Sequence, residues 1–172
     1  DNTCIIATKT KNICLFKKDI GLPVGRKIDV IIPKFINTQE LRANFLRGFA
    51  DTDFCLNFRT LKKSDYPIIS TAISDKKLLK QLNNICQELN LRTCTAFDMV
   101  RKDPRTIKGY TIVHGLYIYG RENLQIWMDK VGFWSSKHIT KYLVWKALGK
   151  VPKHSTTTER YKILKSLNIE FR

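Results

Sequence analysis

A chain of 172 residues with 31 Lys+Arg against 15 Asp+Glu carries a formal charge of +16. That excess opposes compaction unless a polyanion such as nucleic acid offsets it. A hydrophobic fraction of 43%, with 10% aromatics, supplies a core for one domain and excludes a disordered basic tail.

Residues 1–37 read as a strand-like extension and linker. Cys4-Ile5-Ile6-Ala7 and Ile13-Cys14-Leu15-Phe16 are short strand-like runs, followed by the turn-rich Gly21-Leu22-Pro23-Val24-Gly25-Arg26-Lys27 and then Val30-Ile31-Ile32-Pro33. Thr38 is placed to cap a helix that carries Leu41, Phe45, Leu46 and Phe49 and ends near residues 51–53. Phe54, Leu56 and Phe58 alternate with Cys55, Asn57 and Arg59 as a strand; residues 62–65 form its turn, and 66–73 return. Ser74-Asp75 opens a helix with Leu78, Leu79, Leu82, Ile85, Cys86 and Leu89 at helical spacing. A second strand pair covers residues 92–100 and 110–119, joined by the basic turn Arg101-Lys102-Asp103-Pro104-Arg105. Helices over 121–131 and 136–148 close a domain spanning 38–150, and 151–172 is a basic tail or helix.

This order predicts an α+β fold with one antiparallel sheet, helices on one face and nothing left to cover the other. Asn57, Arg59, Lys62, Lys63, Arg101, Lys102, Arg105 and Lys108 lie near the open face, which suits a ribbon reading a DNA groove. Singly, each is read equally well as a solvated strand or turn residue; their shared sign points to nucleic acid. Cys4, Cys14, Cys55, Cys86 and Cys94 are odd in number, without CxxC or zinc-type spacing to His114, His138 or His154. They read as reduced, mostly buried thiols of an intracellular protein, in a prokaryotic cytoplasm or an organelle. No run approaches membrane-spanning length, and Lys9 and Lys11 interrupt the one candidate signal sequence. The first residue is Asp, which reads as a processed or trimmed chain or part of a longer one.

Residues 45–54 hold the most informative stretch: an apolar helical run with one glycine delivers Asp51 and Asp53 at its C-terminal end. Carboxylates there face the negative end of the helix dipole. They are either solvated acids or ligands for a hard divalent cation.

Leu46-Arg47-Gly48-Phe49-Ala50-Asp51-Thr52-Asp53 resembles the helix motif of the LAGLIDADG homing endonucleases at every position but the last, where Phe54 replaces glycine. The Gly21–Pro33 stretch, Tyr66-Pro67-Ile68-Ile69 with the residues from Ser74 to Leu79, and Val131-Gly132-Phe133 with Lys137-His138-Ile139-Thr140-Lys141-Tyr142 are similar to the variety found in archaea, organelles and inteins. The resemblance implies an αββαββα fold with a saddle-shaped DNA-binding sheet, and motif helices paired through Gly48, Phe49 and Asp51. It implies a homodimer, or the second half of a two-motif protein. It assigns Asp53 to a Mg²⁺ ion, with Mn²⁺ or Ca²⁺ substituting for binding. Lys137 and Lys76 become candidates to stabilise charge on the phosphate during phosphodiester hydrolysis. The implied activity is cleavage of double-stranded DNA at a long near-palindromic site, as in intron- or intein-encoded enzymes. The alternatives are a non-cleaving DNA or RNA binder on this fold, such as an intron maturase, and an unrelated basic α+β domain. Phe54 is expected to strain a turn that favours positive φ, at about 1–2 kcal/mol, or to crowd the metal site.

Overall fold

Helix α2 (Gln39–Asp53) starts where Thr38 accepts a hydrogen bond from the Leu41 N–H, so its orphan N-terminal donors are met by the residue the sequence marks as a cap. The computed structural model describes residues 11–21, 29–62 and 64–170. Within them α1 (Lys11–Asp19) and α2 are followed by β1 (Cys55–Arg59), β2 (Tyr66–Ile73), α3 (Lys76–Glu88), β3 (Thr93–Lys102), β4 (Tyr110–Tyr119), α4 (Arg121–Lys130), α5 (Ser136–Leu148) and α6 (Thr157–Ser166). The strands form one antiparallel sheet in the order β1-β2-β4-β3. The α+β class and the αββαββα order are those read from the sequence. None of the described helices is long and apolar enough to cross a membrane.

Strand alternation separates the sheet's two faces. Leu56 stands opposite Ile69, which stands opposite Ile118, and Thr71 opposite Leu116. These five are buried, and they pack with Leu79, Leu82, Leu124 and Trp127 of α3 and α4. The other face carries the row Cys55, Ser70, Tyr117, Cys94, and beside it Asn57, Ile68 and Tyr119.

Several expectations are corrected. Residues 13–16 belong to helix α1, not a strand. A short apolar run is ambiguous between the two; here Lys17 and Lys18 suit the helix's negative end, and Gly21 (φ 79°) ends it, its N–H donating to the Lys18 carbonyl. Residues 30–33 join no sheet: the Val30 and Ile32 N–H groups donate to the side chains of Asp75 and Gln81 at 2.7 and 2.9 Å, tying the segment to α3. The runs at 4–7 and 22–27 lie outside the described residues, as do Cys4 and Lys63. The thiols are not mostly buried: Cys86 is, and burial pushes it up to about 12, but Cys14 and Cys94 are exposed and Cys55 half-buried. Cys55 and Cys94 lie on the uncovered sheet face. Finally, β3 runs through Lys102, so Arg101 and Lys102 are strand residues rather than turn residues.

Candidate nucleic-acid interface and metal site

Two acids only two residues apart at the end of α2 meet different surroundings. Asp51 turns inward: its carboxylate accepts the Trp134 N–H at 3.1 Å and the Ser135 N–H at 3.0 Å, at the start of α5. Ser135, the N-cap of α5, makes no side-chain capping bond, so Asp51 supplies the acceptor from another element. The negative end of α2 is thereby joined to the positive end of α5. Asp53 is exposed. Its carbonyl accepts from the buried Thr71 hydroxyl at 2.8 Å, and its Oδ2 lies 2.7 Å from the Thr52 hydroxyl. The backbone beneath Asp53 is thus anchored on β2 while the carboxylate faces out.

Phe54 neither strains the turn nor crowds the acid. Its φ of −92° and ψ of 160° are extended values that any residue adopts, so no glycine is required. The ring is 2% exposed, 5.6 Å from Trp127 and 6.0 Å from Phe49, on the core side. The departure from the motif is absorbed by packing.

Gly48 lies on the outer side of α2, and a Cβ added there would meet nothing within 4 Å. Phe49 is half-buried, packed between Phe45 and Phe54. Arg47, which sequence reasoning left without a role, donates to the Val131 carbonyl and sets its guanidinium 5.0 Å from the ring of the exposed Trp134. Thr71 and Arg47 find their partners far along the chain, beyond the reach of spacing.

Lys137 is exposed in the first turn of α5, the helix that Asp51 caps. His138 beside it is buried against Phe133, with Nδ1 unpartnered. Burial first, then Lys137 and Lys141, bring its pKa down to about 4. Lys76 is engaged elsewhere: it pairs with Asp98 at 2.7 Å and sits 5.4 Å from the Phe97 ring. Asp98 (φ 57°) belongs to the bulge in β3, its N–H donating to His114 Nδ1.

Asn57 and Arg59 are exposed on the open face, Arg59 opposite Tyr66. Arg101, opposite Thr111, shares that face, whereas Lys102 points the other way. Arg105 forks onto Asp103 at 2.8 and 2.9 Å, which holds the Asp103 carboxyl below its usual range and raises Arg105. Lys62 and Lys108 are exposed. One end of the two central strands is aromatic: Tyr117 and Tyr119 stack with centroids 5.9 Å apart, and Tyr66 and Tyr119 are exposed.

Among the described residues no group of three or more His, Cys, Asp or Glu encloses a metal ion. One outward carboxylate nevertheless fits Mg²⁺, which keeps several waters and is commonly held by one or two carboxylates plus substrate phosphates. Asp53 is the residue that would hold it.

No protein-family model and no curated protein matches the chain. Among solved structures it is similar to the homing endonuclease I-CvuI, determined in complex with its target in the presence of 2 mM Ca. The likeness covers 77% of this chain and 98% of that one, with 16% sequence identity and a TM-score of 0.39.

Proposed function

We propose that the chain is a divalent-metal-dependent endonuclease of the LAGLIDADG kind, which cuts double-stranded DNA at a long near-palindromic site as a homodimer paired through α2. The observation that carries this reading is the division of labour at the end of α2. Asp51 is consumed within the chain, while Asp53, on an anchored backbone, is left facing outward, with a solvent-exposed glycine five residues before it. Pairing two copies of α2 through Gly48 would bring two Asp53 carboxylates together, the complement that one protomer lacks. The bound ion would supply charge stabilisation and an activated water. Asp53 would position it, Lys137 would stand beside the reacting phosphate, and Asn57, Arg59 and Arg101 would read the duplex. Lys76, paired with Asp98, is the weaker catalytic assignment.

The test is cleavage of a randomised linear DNA library with Mg²⁺ by wild type and Asp53→Asn. Cuts made only by wild type, at one near-palindromic sequence, are expected. Cutting retained by Asp53→Asn would overturn the assignment.

A second reading is favoured by the exposed tyrosines at one end of the two central strands of the open face. Aromatic rings on a sheet stack unpaired bases, so Tyr66 and Tyr119 suit a non-cleaving binder of single-stranded RNA. That reading predicts selective binding without cutting by either protein, weakened by Tyr119→Ala and indifferent to Asp53→Asn.

A further inference from the structure

Beyond the β1 edge of the sheet, α5, α6 and the loop between them frame a cavity of about 440 Å³. Lys141, Lys153, His154 and Arg160 line it together with Asn57 and Ser155, and among the described residues no Asp or Glu does. Arg160 is 2% exposed, yet its guanidinium meets only neutral oxygens. Nε donates to the Thr140 hydroxyl at 2.9 Å, one terminal nitrogen to the Ser155 carbonyl and hydroxyl, and the other to the Thr157 hydroxyl at 3.2 Å and the Lys137 carbonyl at 3.4 Å. Lys141 is half-buried and gives one N–H to the Leu56 carbonyl at 3.0 Å, so two more donors remain. Burial lowers the basicity of both cations; Glu159 offsets this in part for Arg160 and Cys55 for Lys141, while the charge of Arg160 lowers Lys141 further.

Two acids lie close by without lining the cavity: Glu159, whose charge raises Arg160, and Asp65, which lines an adjoining cavity with Lys153. Glu159 accepts from the Thr156 N–H and lies against its hydroxyl, closing the capping box of α6. Asp65 accepts the Val151 N–H. Desolvated cations with only neutral partners cost free energy until an anion arrives. Lys153, exposed at the same cavity, adds to its positive field, and His154 lies beside it.

We propose that this cavity is a phosphate site. Lys141 and Lys153 supply the charge–charge contacts, and Arg160 contributes its field and holds the residue-155 turn in place. The chemistry is that of a phosphate oxyanion, whether a phosphodiester of a strand or free phosphate. Asn57 lines both this cavity and the open sheet face, so a strand leaving β1 passes its mouth. Residues 151–160 are then a clamp that lengthens the nucleic-acid footprint. The site does not depend on cleavage at Asp53, and a protein that never cuts would use it equally.

The test follows the Lys153 and Ser155 amides and the Arg160 Nε–H by NMR in the full chain. Inorganic phosphate and a short DNA duplex are titrated separately, each against chloride at matched ionic strength. Shifts with inorganic phosphate assign a free-phosphate site; shifts with the duplex alone assign a strand phosphate, and both support the proposal. In parallel, Lys141→Gln and Lys153→Gln should each lower the slope of log duplex affinity against log salt by about 1. Resonances that move no more than in chloride with either ligand would overturn it, as would, where the duplex shifts them, a slope unaltered in folded Lys153→Gln. Lys153 is exposed, so this variant keeps the test intact should Lys141→Gln fail to fold.

Discussion

On its inner side α2 buries Ala43, Leu46 and Ala50 and hands over to Phe54, packed against Trp127; on its outer side Leu41, Gly48, Thr52 and Asp53 are exposed. The inner side follows the logic of a core: apolar volume, an acid bonded within the chain, aromatic rings at 5.6 and 6.0 Å. The outer side contradicts that logic at each exposed position. Gly48 costs the helix about 1 kcal/mol relative to alanine and gives no close packing in return, and Asp53 sits at the unfavourable end of the dipole. On the proposed function, a second copy at Gly48 and a cation at Asp53 would account for features that a single chain would do better without.

The largest expected effect lies on the outer side. Asp53→Asn should reduce cleavage by more than about 100-fold, as loss of a metal ligand exceeds the usual 10–100-fold cost of losing a residue that merely orients one. Stability should stay within about 0.5 kcal/mol of wild type, or rise slightly as the helix end loses a charge. A urea melt alongside the cleavage assay checks both halves. A marked loss of stability would place Asp53 with the inner side and erase the contrast.

The inner side is probed by acid. His138 titrates near 4 in the folded protein against 6.5 ordinarily, so the unfolded chain binds more protons between those values. Stability should therefore be complete above about pH 6.5 and be lost as pH falls towards 4, by on the order of 2 kcal/mol. His138→Phe, packed against Phe133, should flatten that part of the profile. A wild-type stability that stays level down to pH 4 would show that the ring is not sealed beneath the start of α5.

Asp51→Ala separates the two acids directly. Loss of its bonds to Trp134 and Ser135 should cost about 1 kcal/mol, the usual value of an N-cap, read as a lower urea midpoint with an unchanged slope. If Asp51→Ala is as stable as wild type, the tie between α2 and α5 contributes nothing, and the acids are equivalent after all.

How much of this was legible in the sequence depends on how far away each cause lies. The bounds of α2, β2, α3, β4 and α5 follow from local periodicity and local caps, Thr38 and Asp75 accepting from residues three further on. Residues 13–16 and 30–33 misled because their apolar runs are too short to carry a period; the first is settled by Gly21, the second by Asp75 and Gln81 on α3. The end of the motif could be located but not apportioned. Trp134 and Ser135 claim Asp51 across more than 80 residues, and Trp127 receives Phe54 across more than 70. The β3 bulge, which draws Lys76 to Asp98, leaves no pattern in composition. Nor does the cluster around Arg160, whose acceptors come from α5, the following loop and the start of α6.

Gly48→Leu is a small change in stability and the sharpest test of the outer side. A Cβ at this position meets open space in one protomer, so the helix gains roughly 0.5–1 kcal/mol of propensity with no clash to offset it. A second copy packed helix to helix has no room for a leucine where two backbones approach, as small residues are what permit close crossings. The variant should therefore melt at or above the wild-type temperature and yet sediment as a monomer, with cleavage lost. Stability and assembly move in opposite directions only if the open space at Gly48 is filled by a partner. Should the variant be more stable, associate as wild type does and still cut DNA, the glycine is an ordinary weak point in a solvated helix. The pairing of α2, and with it the meeting of two Asp53 carboxylates, would then have to be abandoned.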